Sequence, residues 1–252
     1  MQILKVENIS KIYGNKKSSR QYLALKNISF EIKEGEFIGV MGASGSGKTT
    51  LLNILGSIDK PTTGRYLMDG KDIATLNKNQ LAEHRINNIG FIFQDYNLIE
   101  TMTLKENIIL PLALKGYKAN VMEDELYRIA QDLSLVEVLE KYPYEVSGGQ
   151  LQRAAACRAL ITKPKVILAD EPTGNLDSKS GKDLLDLLTF INKEFKATIL
   201  MVTHDVFAAS YCQKIMFIRD GEIYNELFAG NSKKKFFDSI IEVMSVLGGE
   251  GK

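Results

Sequence analysis

The chain is short of several things, and each shortage removes a class of function. Cysteine occurs only as Cys157 and Cys212, two unclustered thiols with no metal-ligand spacing, which suits a reducing cytoplasm and core or surface positions. Neither sign of charge is in excess: 32 Lys and Arg against 31 Asp and Glu leave +1, too little for a global field toward nucleic acid or an acidic membrane. No apolar run approaches the roughly 18 residues of a spanning helix, and the first residues lack the apolar segment of a secretion signal. A membrane process served by this chain would therefore keep its spanning part in another polypeptide. No internal repeat or low-complexity stretch is present. What remains is 252 residues, 44% apolar and 25% charged, enough for one large domain or two small ones with a substantial core.

The stretch that organises the chain is Gly42-Ala43-Ser44-Gly45-Ser46-Gly47-Lys48-Thr49, of the form G-x-x-x-x-G-K-[ST]. Its glycines let backbone N–H groups converge on phosphate oxygens, and it opens onto a helix N-terminus whose partial positive charge favours an anion. Lys48 is placed for the β- and γ-phosphates, and the Thr49 hydroxyl for Mg²⁺. Average residue usage yields such a string in roughly one chain in a hundred of this length, so the flanks decide. Phe37 to Met41 is a short apolar run typical of a strand buried on both faces, and Thr50 to Leu55 reads as helix. Strand, loop, helix is the context that phosphate binding requires.

Upstream, Met1 to Glu36 reads as strands; Lys26 to Lys33 alternates as a half-buried antiparallel strand, and Gly14 to Arg20 reads as a solvated basic loop. Asp69-Gly70 marks a hairpin, Leu76 to Asn88 a helix, and Ile89 to Phe93 a buried strand ending at Gln94. From Asp95 to about Ile161 the pattern is helical. Thr103 to Glu106 is a capping box, Pro111 kinks or ends that helix, and Asn120 is a candidate cap for the next, with Met122, Leu126, Ile129, Ala130 and Leu133 on one face. Strand and helix signals then alternate through Val166–Asp170, Ser178–Phe195 and Thr198–Val202 to a hairpin around Asp220-Gly221, which argues for a mainly parallel sheet covered on both sides. The tail, 231–252, carries Phe236, Phe237, Ile240, Ile241, Met244 and Leu247 at amphipathic-helix spacing behind a solvated Lys233-Lys234-Lys235.

Two further strings carry chemistry. Val166 to Asp170 is an apolar strand ending in a carboxylate and followed by Glu171; beside a phosphate-binding loop, Asp170 would hold Mg²⁺ and Glu171 would polarise the attacking water. Ser147-Gly148-Gly149-Gln150 places a hydroxyl and glycine N–H groups at another helix start, a second anion site far along the chain. A plain N-cap accounts for the serine but not for two glycines and a glutamine beside it.

With these strings the chain resembles the nucleotide-binding subunit of an ATP-binding cassette (ABC) transporter over nearly its whole length. The resemblance implies an α/β fold: a RecA-like P-loop NTPase core with an antiparallel β-subdomain and an inserted α-helical subdomain at about 95–161, all within 1–230. It implies ATPase activity with ATP and Mg²⁺. Phosphate contacts fall to Gly42, Ser44, Gly45, Ser46, Gly47, Lys48, Thr49 and Thr50, adenine stacking to Tyr13, and metal ligation to Thr49, Gln94 and Asp170. Glu171, His204 and Gln94 are the implied catalytic set. Ser147, Gly149 and Gln150 match the family's signature, Asn175 to Asp177 its D-loop, with Asp177 at the nucleotide. His84 matches no motif and reads as a helix-surface residue. The family pattern further implies a head-to-tail homodimer with ATP at the interface, a separate transmembrane permease docking near Gln94 to Leu114, no nucleic acid, and a cytoplasmic position on the inner face of the membrane.

Within the family, Phe93 to Leu98, Leu104 to Asn107 and Ala169 to Asp177 resemble the branch of lipoprotein-release, macrolide-efflux and cell-division ATPases. Met41 to Ser44, Ala208 to Cys212 and the tail resemble its bacitracin- and lantibiotic-resistance type. That similarity implies resistance to, or sensing of, antimicrobial peptides. The alternatives are a lipoprotein-release or division-type module signalling to a membrane partner, or a soluble scaffold ATPase. Cys157 stands where the family's signature helix has alanine, without consequence expected for mechanism.

Overall fold

A computed structural model of the chain describes residues 1–14 and 21–249; Asn15 to Arg20 of the basic loop lie outside the described residues. Its strands form two sheets. The first is antiparallel, in the order β2-β1-β4-β5, from β1 (Gln2–Tyr13), β2 (Tyr22–Lys33), β4 (Thr63–Met68) and β5 (Lys71–Asp72). The second runs β10-β9-β3-β8-β7-β6 from β3 (Phe37–Met41), β6 (Ile89–Phe93), β7 (Val166–Asp170), β8 (Ile199–Val202), β9 (Lys214–Arg219) and β10 (Glu222–Phe228). It is parallel except for β10, which closes the edge as a hairpin with β9. The turn expected at Asp69-Gly70 joins β4 to β5, with both residues at positive φ, the backbone a tight two-residue hairpin demands.

The pleat of the parallel sheet divides the core. Ile38, Val40, Leu168, Leu200 and Met216 face the antiparallel sheet and helix α1 (Lys48–Leu55). Their strand neighbours Phe37, Met41, Ile167, Met201 and Phe217 face the helices. Both faces of these strands are buried, which is why they read as unbroken apolar runs. Helix α2 (Lys78–Asn88) precedes β6. Between β6 and β7 the chain makes α3 (Leu104–Leu114), α4 (Ala119–Asp132) and α5 (Gly148–Leu160). Helix α6 (Ser178–Glu194) leads to β8 and the short α7 (Val206–Ala209) to β9. The tail forms α8 (Lys233–Gly249), whose Phe236 and Ile240 are buried in the same core as α3 to α6. No described helix is long and apolar enough to cross a membrane.

Pro111, expected to kink or end its helix, does not end it: α3 runs on to Leu114, because Ile108 and Leu112 on either side stay buried and hold that turn in register. Two local expectations need correction. Asn120 does not cap α4; the cap is Lys118, with no side-chain bond, and the first turn is closed by Met122 N–H donating to Lys118 O at 3.1 Å. The buried stripe of Leu126, Ile129 and Ala130 sets where this helix lies, in place of a polar cap. His84 is not a surface residue. It is 8% exposed, with Nδ1 3.2 Å from Ser57 Oγ, its ring edge-on to Tyr66, and Nε2 buried without a partner.

Candidate functional site

The parallel order brings four strand ends to one edge. Phe93 pairs with Asp170, Asp170 with Val202 and Val202 with Val40, a single row across the sheet. The residues just beyond this row are Gln94, Glu171, His204 and the Gly42 loop. Ligands of such sheets bind at that edge, outside the carboxyl ends of the strands.

The Gly42–Thr49 loop is built on close backbone approaches. At Gly42 (φ +156) an added Cβ would lie 2.2 Å from Ile218 O, and at Gly47 (φ +108) 2.5 Å from Ala24 O, so only glycine fits at either position. Gly47 is the N-cap of α1 and gives it no side-chain hydrogen bond. In contrast, Asn77, Thr103, Ser147 and Asp177 cap α2, α3, α5 and α6 with their side chains. The first N–H groups of α1 are thus left for an anion. Lys48 is buried, and its ammonium donates to Gly42 O and Ala43 O, both at 2.9 Å; burial lowers its pKa, opposed by the nearby Glu171 and Asp170 carboxylates. The Ser46 hydroxyl is buried without a partner. A triphosphate entering the loop would replace weak carbonyl acceptors of Lys48 with charged ones.

Beside the loop, a cavity of about 310 Å³ is lined by Thr49, Phe93, Gln94, Asp95, Asn97, Asp170 and Glu171. Burial first, and then Glu171, push the Asp170 pKa up, while Lys48 opposes both. One hydroxyl, two amides and three carboxylates line this space, hard oxygen donors of the kind Mg²⁺ takes, completed by phosphate oxygens, so the residues present fit that ion. Glu171 sits in the left-handed region at φ +43, and its Oε2 lies 3.0 Å from His204 Nδ1, which can donate to it. The Gln94 side chain packs so closely on Gly174 that a Cβ there would come within 2.9 Å of its amide. Tyr13 is 38% exposed; its hydroxyl donates to Asp59 at 2.8 Å, Thr50 is within reach of the same oxygen, and the Lys11 ammonium lies 4.8 Å from the ring centre.

The remaining expected residues lie outside that cavity. Ser147, Gly149 and Gln150 stand at the start of α5 in a reciprocal cap: Ser147 Oγ accepts from Gln150 N–H at 3.4 Å, and Gln150 Oε1 accepts from Ser147 N–H at 2.9 Å. The glutamine that a plain N-cap left unexplained is therefore half of a capping box. Asp177 caps α6, accepting from Lys179 N–H, Ser180 N–H and the Ser180 hydroxyl, and these bonds hold its carboxyl below the usual range. Within one chain, then, Lys48, Thr49, Gln94, Asp170, Glu171 and His204 come together, while Ser147, Gly149, Gln150 and Asp177 do not join them.

Three residues at this edge make contacts that the sequence does not announce. Tyr22 donates its hydroxyl to Gly45 O at 2.8 Å, bracing the loop from β2. Asn175 donates to Asp95 Oδ1 at 2.6 Å, tying the segment before α6 to the one after β6. Arg158 donates to Asn97 O at 2.5 Å and Tyr96 O at 2.7 Å. A charge near the end of the alanine-rich helix was the one signal available for Arg158; nothing near Tyr22 or Asn175 in the sequence announced their partners.

Known proteins supply the comparison. A family model described as ABC transporter matches residues 25–174. The ABC transporter ATP-binding protein YxdL of Bacillus subtilis is 51% identical over 98% of this chain and 95% of its own. The bacitracin export ATP-binding protein BceA of Halalkalibacterium halodurans is 48% identical over 99% and 98%. Among solved structures, the dimeric post-hydrolysis state of the ATP-binding cassette MJ0796 bound to ADP and Pi, from Methanocaldococcus jannaschii, superposes with a TM-score of 0.80 at 38% identity, covering 91% of this chain and all of that one.

Proposed function

The chain belongs to the ABC transporter family as an ATP-binding, ATP-hydrolysing subunit, and on that premise we propose that it powers a separate membrane permease conferring resistance to, or sensing of, cell-wall-directed antimicrobial peptides. The observation that carries the enzymatic part is the convergence of Lys48, Thr49, Gln94, Asp170 and Glu171, from three chain segments, around the uncapped start of α1. The similarity to a bacitracin export protein over nearly the whole of both chains supports the peptide part.

In the proposed reaction the triphosphate lies along the Gly42–Thr49 loop, with Lys48 turned from Gly42 O and Ala43 O onto its β- and γ-oxygens, and the adenine against the Tyr13 ring. Mg²⁺, which Thr49, Asp170 and Gln94 would hold, would supply neutralisation of the phosphate charge. Glu171 orients a water in line with the bond from the γ-phosphorus to the bridging oxygen and takes its proton as that bond breaks, giving ADP and phosphate. His204 fixes the carboxylate through Nδ1. Ser147, Gly149 and Gln150 belong to the same reaction through a second copy, whose α5 N-terminus would face the γ-phosphate across a head-to-tail dimer, with Asp177 at that interface. Neither anion site alone neutralises the triphosphate, so pairing is favourable with ATP and reversed by its hydrolysis. The dimeric cassettes among the relatives support this arrangement.

The permease would dock on the groove of about 270 Å³ where Phe91 and Phe93 of the sheet edge face Leu110, Pro111 and Leu114 of α3. The block at about 95–161 would then move as a subdomain between permease and nucleotide. The chain would sit on the cytoplasmic face of the membrane through that contact alone. The test is co-purification with a tagged permease and a screen of bacitracin and lantibiotics for stimulated ATP hydrolysis. Peptides that leave hydrolysis by the complex unchanged, together with unaltered susceptibility in cells lacking the subunit, would refute the peptide role.

A further inference from the structure

Arg158 has an arrangement that nucleotide binding and hydrolysis leave unexplained. It is half-buried, and burial lowers its pKa. Among the described residues no carboxylate compensates the guanidinium; its partners are the carbonyls of Tyr96 and Asn97. Desolvating a cation against neutral dipoles is unfavourable unless something needs the geometry. Those two carbonyls belong to consecutive residues at φ +58 and +47, left-handed positions that asparagine tolerates but a tyrosine occupies only where the surroundings impose it. They follow Gln94 and Asp95 directly, and the planar fork of arginine can bind both oxygens at once.

The same loop touches α5 at its other end. The Tyr96 hydroxyl faces the Gln152 side chain and would lie 3.7 Å from a Cβ at Gly148. One residue, Tyr96, thus reaches the start of α5 through its phenol and the end of α5 through its carbonyl. From Arg158 to Ser147 the helix spans about 16 Å of rigid rod.

We propose that Arg158 is a positioning residue that fastens the Gln94–Asn97 loop to α5, so that seating of ATP at Gln94 fixes the angle at which Ser147 is offered to a second copy of the chain. The inference rests on the dimeric reading given above. Arg158 also lines the groove under α3 together with Asn97. An occupant of that groove would press on the clamp directly, and pairing of two copies would respond to it through the same helix. Arg158 does not line the cavity beside the phosphate loop; it acts through the Tyr96 and Asn97 carbonyls.

Two variants in a Glu171→Gln background test this. Arg158→Met removes the donors. Arg158→Lys keeps stem and charge but loses the fork, so folding is not at stake with it. ATP affinity of the single chain, measured with dilute protein and a fluorescent ATP analogue, is expected to stay within about two-fold in both. ATP-driven dimerisation by sedimentation is expected to weaken roughly ten-fold or more in Arg158→Met, and by a smaller factor in Arg158→Lys. Hydrogen exchange at concentrations too low for pairing adds a readout that lost stability would not mimic. ATP should slow Tyr96–Leu98 in all the proteins, but Gly149-Gln150 only where the fork is intact. Dimerisation and exchange of Arg158→Lys equal to those of the parent would overturn the proposal, whether or not Arg158→Met folds. A parent that fails to bind ATP would strike at the nucleotide reading instead.

Discussion

Acid should destabilise this protein through His84, beginning above the pH at which ordinary carboxylates are protonated. Burial, followed by Lys71, Lys165 and Arg85, pushes the imidazole pKa down from 6.5 to about 4. The native state thus keeps it neutral where the unfolded chain would protonate it. The unfolded state binds more protons between those two values, so stability rises with pH there and falls on acidification. The loss begins as pH drops through 6.5 and is complete below about 4, where it amounts to about 3 kcal/mol. Between pH 7 and pH 5 the same titration gives about 2 kcal/mol. The site offers little relief, since Nε2 is buried without a partner and Nδ1 meets a serine hydroxyl. The site is tied to the end of α1 away from the phosphate loop: Ser57 follows that end, and Arg85 Nη1 donates to its carbonyl at 2.5 Å. The assay is urea unfolding of the wild type and His84→Gln at pH 7 and pH 5. Subtracting one protein's change from the other's removes the titration of every group they share. The expected difference is about 2 kcal/mol, with the variant less sensitive to acid. Equal losses in the two proteins would show that His84 titrates normally and refute the burial argument.

Glu171→Gln should keep ATP affinity, abolish phosphate release and trap the dimer, because the acceptor for the water proton is gone; undiminished release would remove Glu171 from the mechanism. Ser147→Arg should prevent ATP-dependent dimerisation while the single chain still binds nucleotide, since charge and bulk enter the start of α5. A normal ATP dimer in sedimentation would contradict the second anion site. Asn107, fully buried, accepts from Ile99 N–H at 2.7 Å and donates to the carbonyls of Ile99, Met102 and Thr103. Asn107→Ala should therefore cost about 3 kcal/mol of stability, read as a lower urea midpoint. A change under about 1 kcal/mol would mean that water replaces these bonds.

Much of the site was legible because it is local. The phosphate loop is eight consecutive residues whose glycines and lysine do their work in chain order, and the capping box at Thr103 spans four residues; the one at Ser147 is as short, but its glutamine is explained only by the structure. Hidden features lie far apart in the chain. His84 looked like a surface residue on a polar helix because the residues that bury it, Ser57 and Tyr66, belong to other elements. Asn120 misleads because propensity is weaker than packing: the buried Leu126, Ile129 and Ala130 decide where that helix runs.

Sequence alone determined the chemical parts: a loop able to take phosphate, a carboxylate pair at a strand end, a serine-glycine helix start, and apolar runs that must be doubly buried strands. Those follow from backbone sterics and from residue types at fixed spacing. Only the tertiary structure decided that β3, β8, β7 and β6 lie side by side, which brings the loop, His204, Glu171 and Gln94 to one edge, and that Arg158 and Asn175 grip the segment after Gln94. The physical reason is that strand order and side-chain contacts across 60 to 80 positions are fixed by closing a shared core, a condition on the whole chain that no short stretch of it can express.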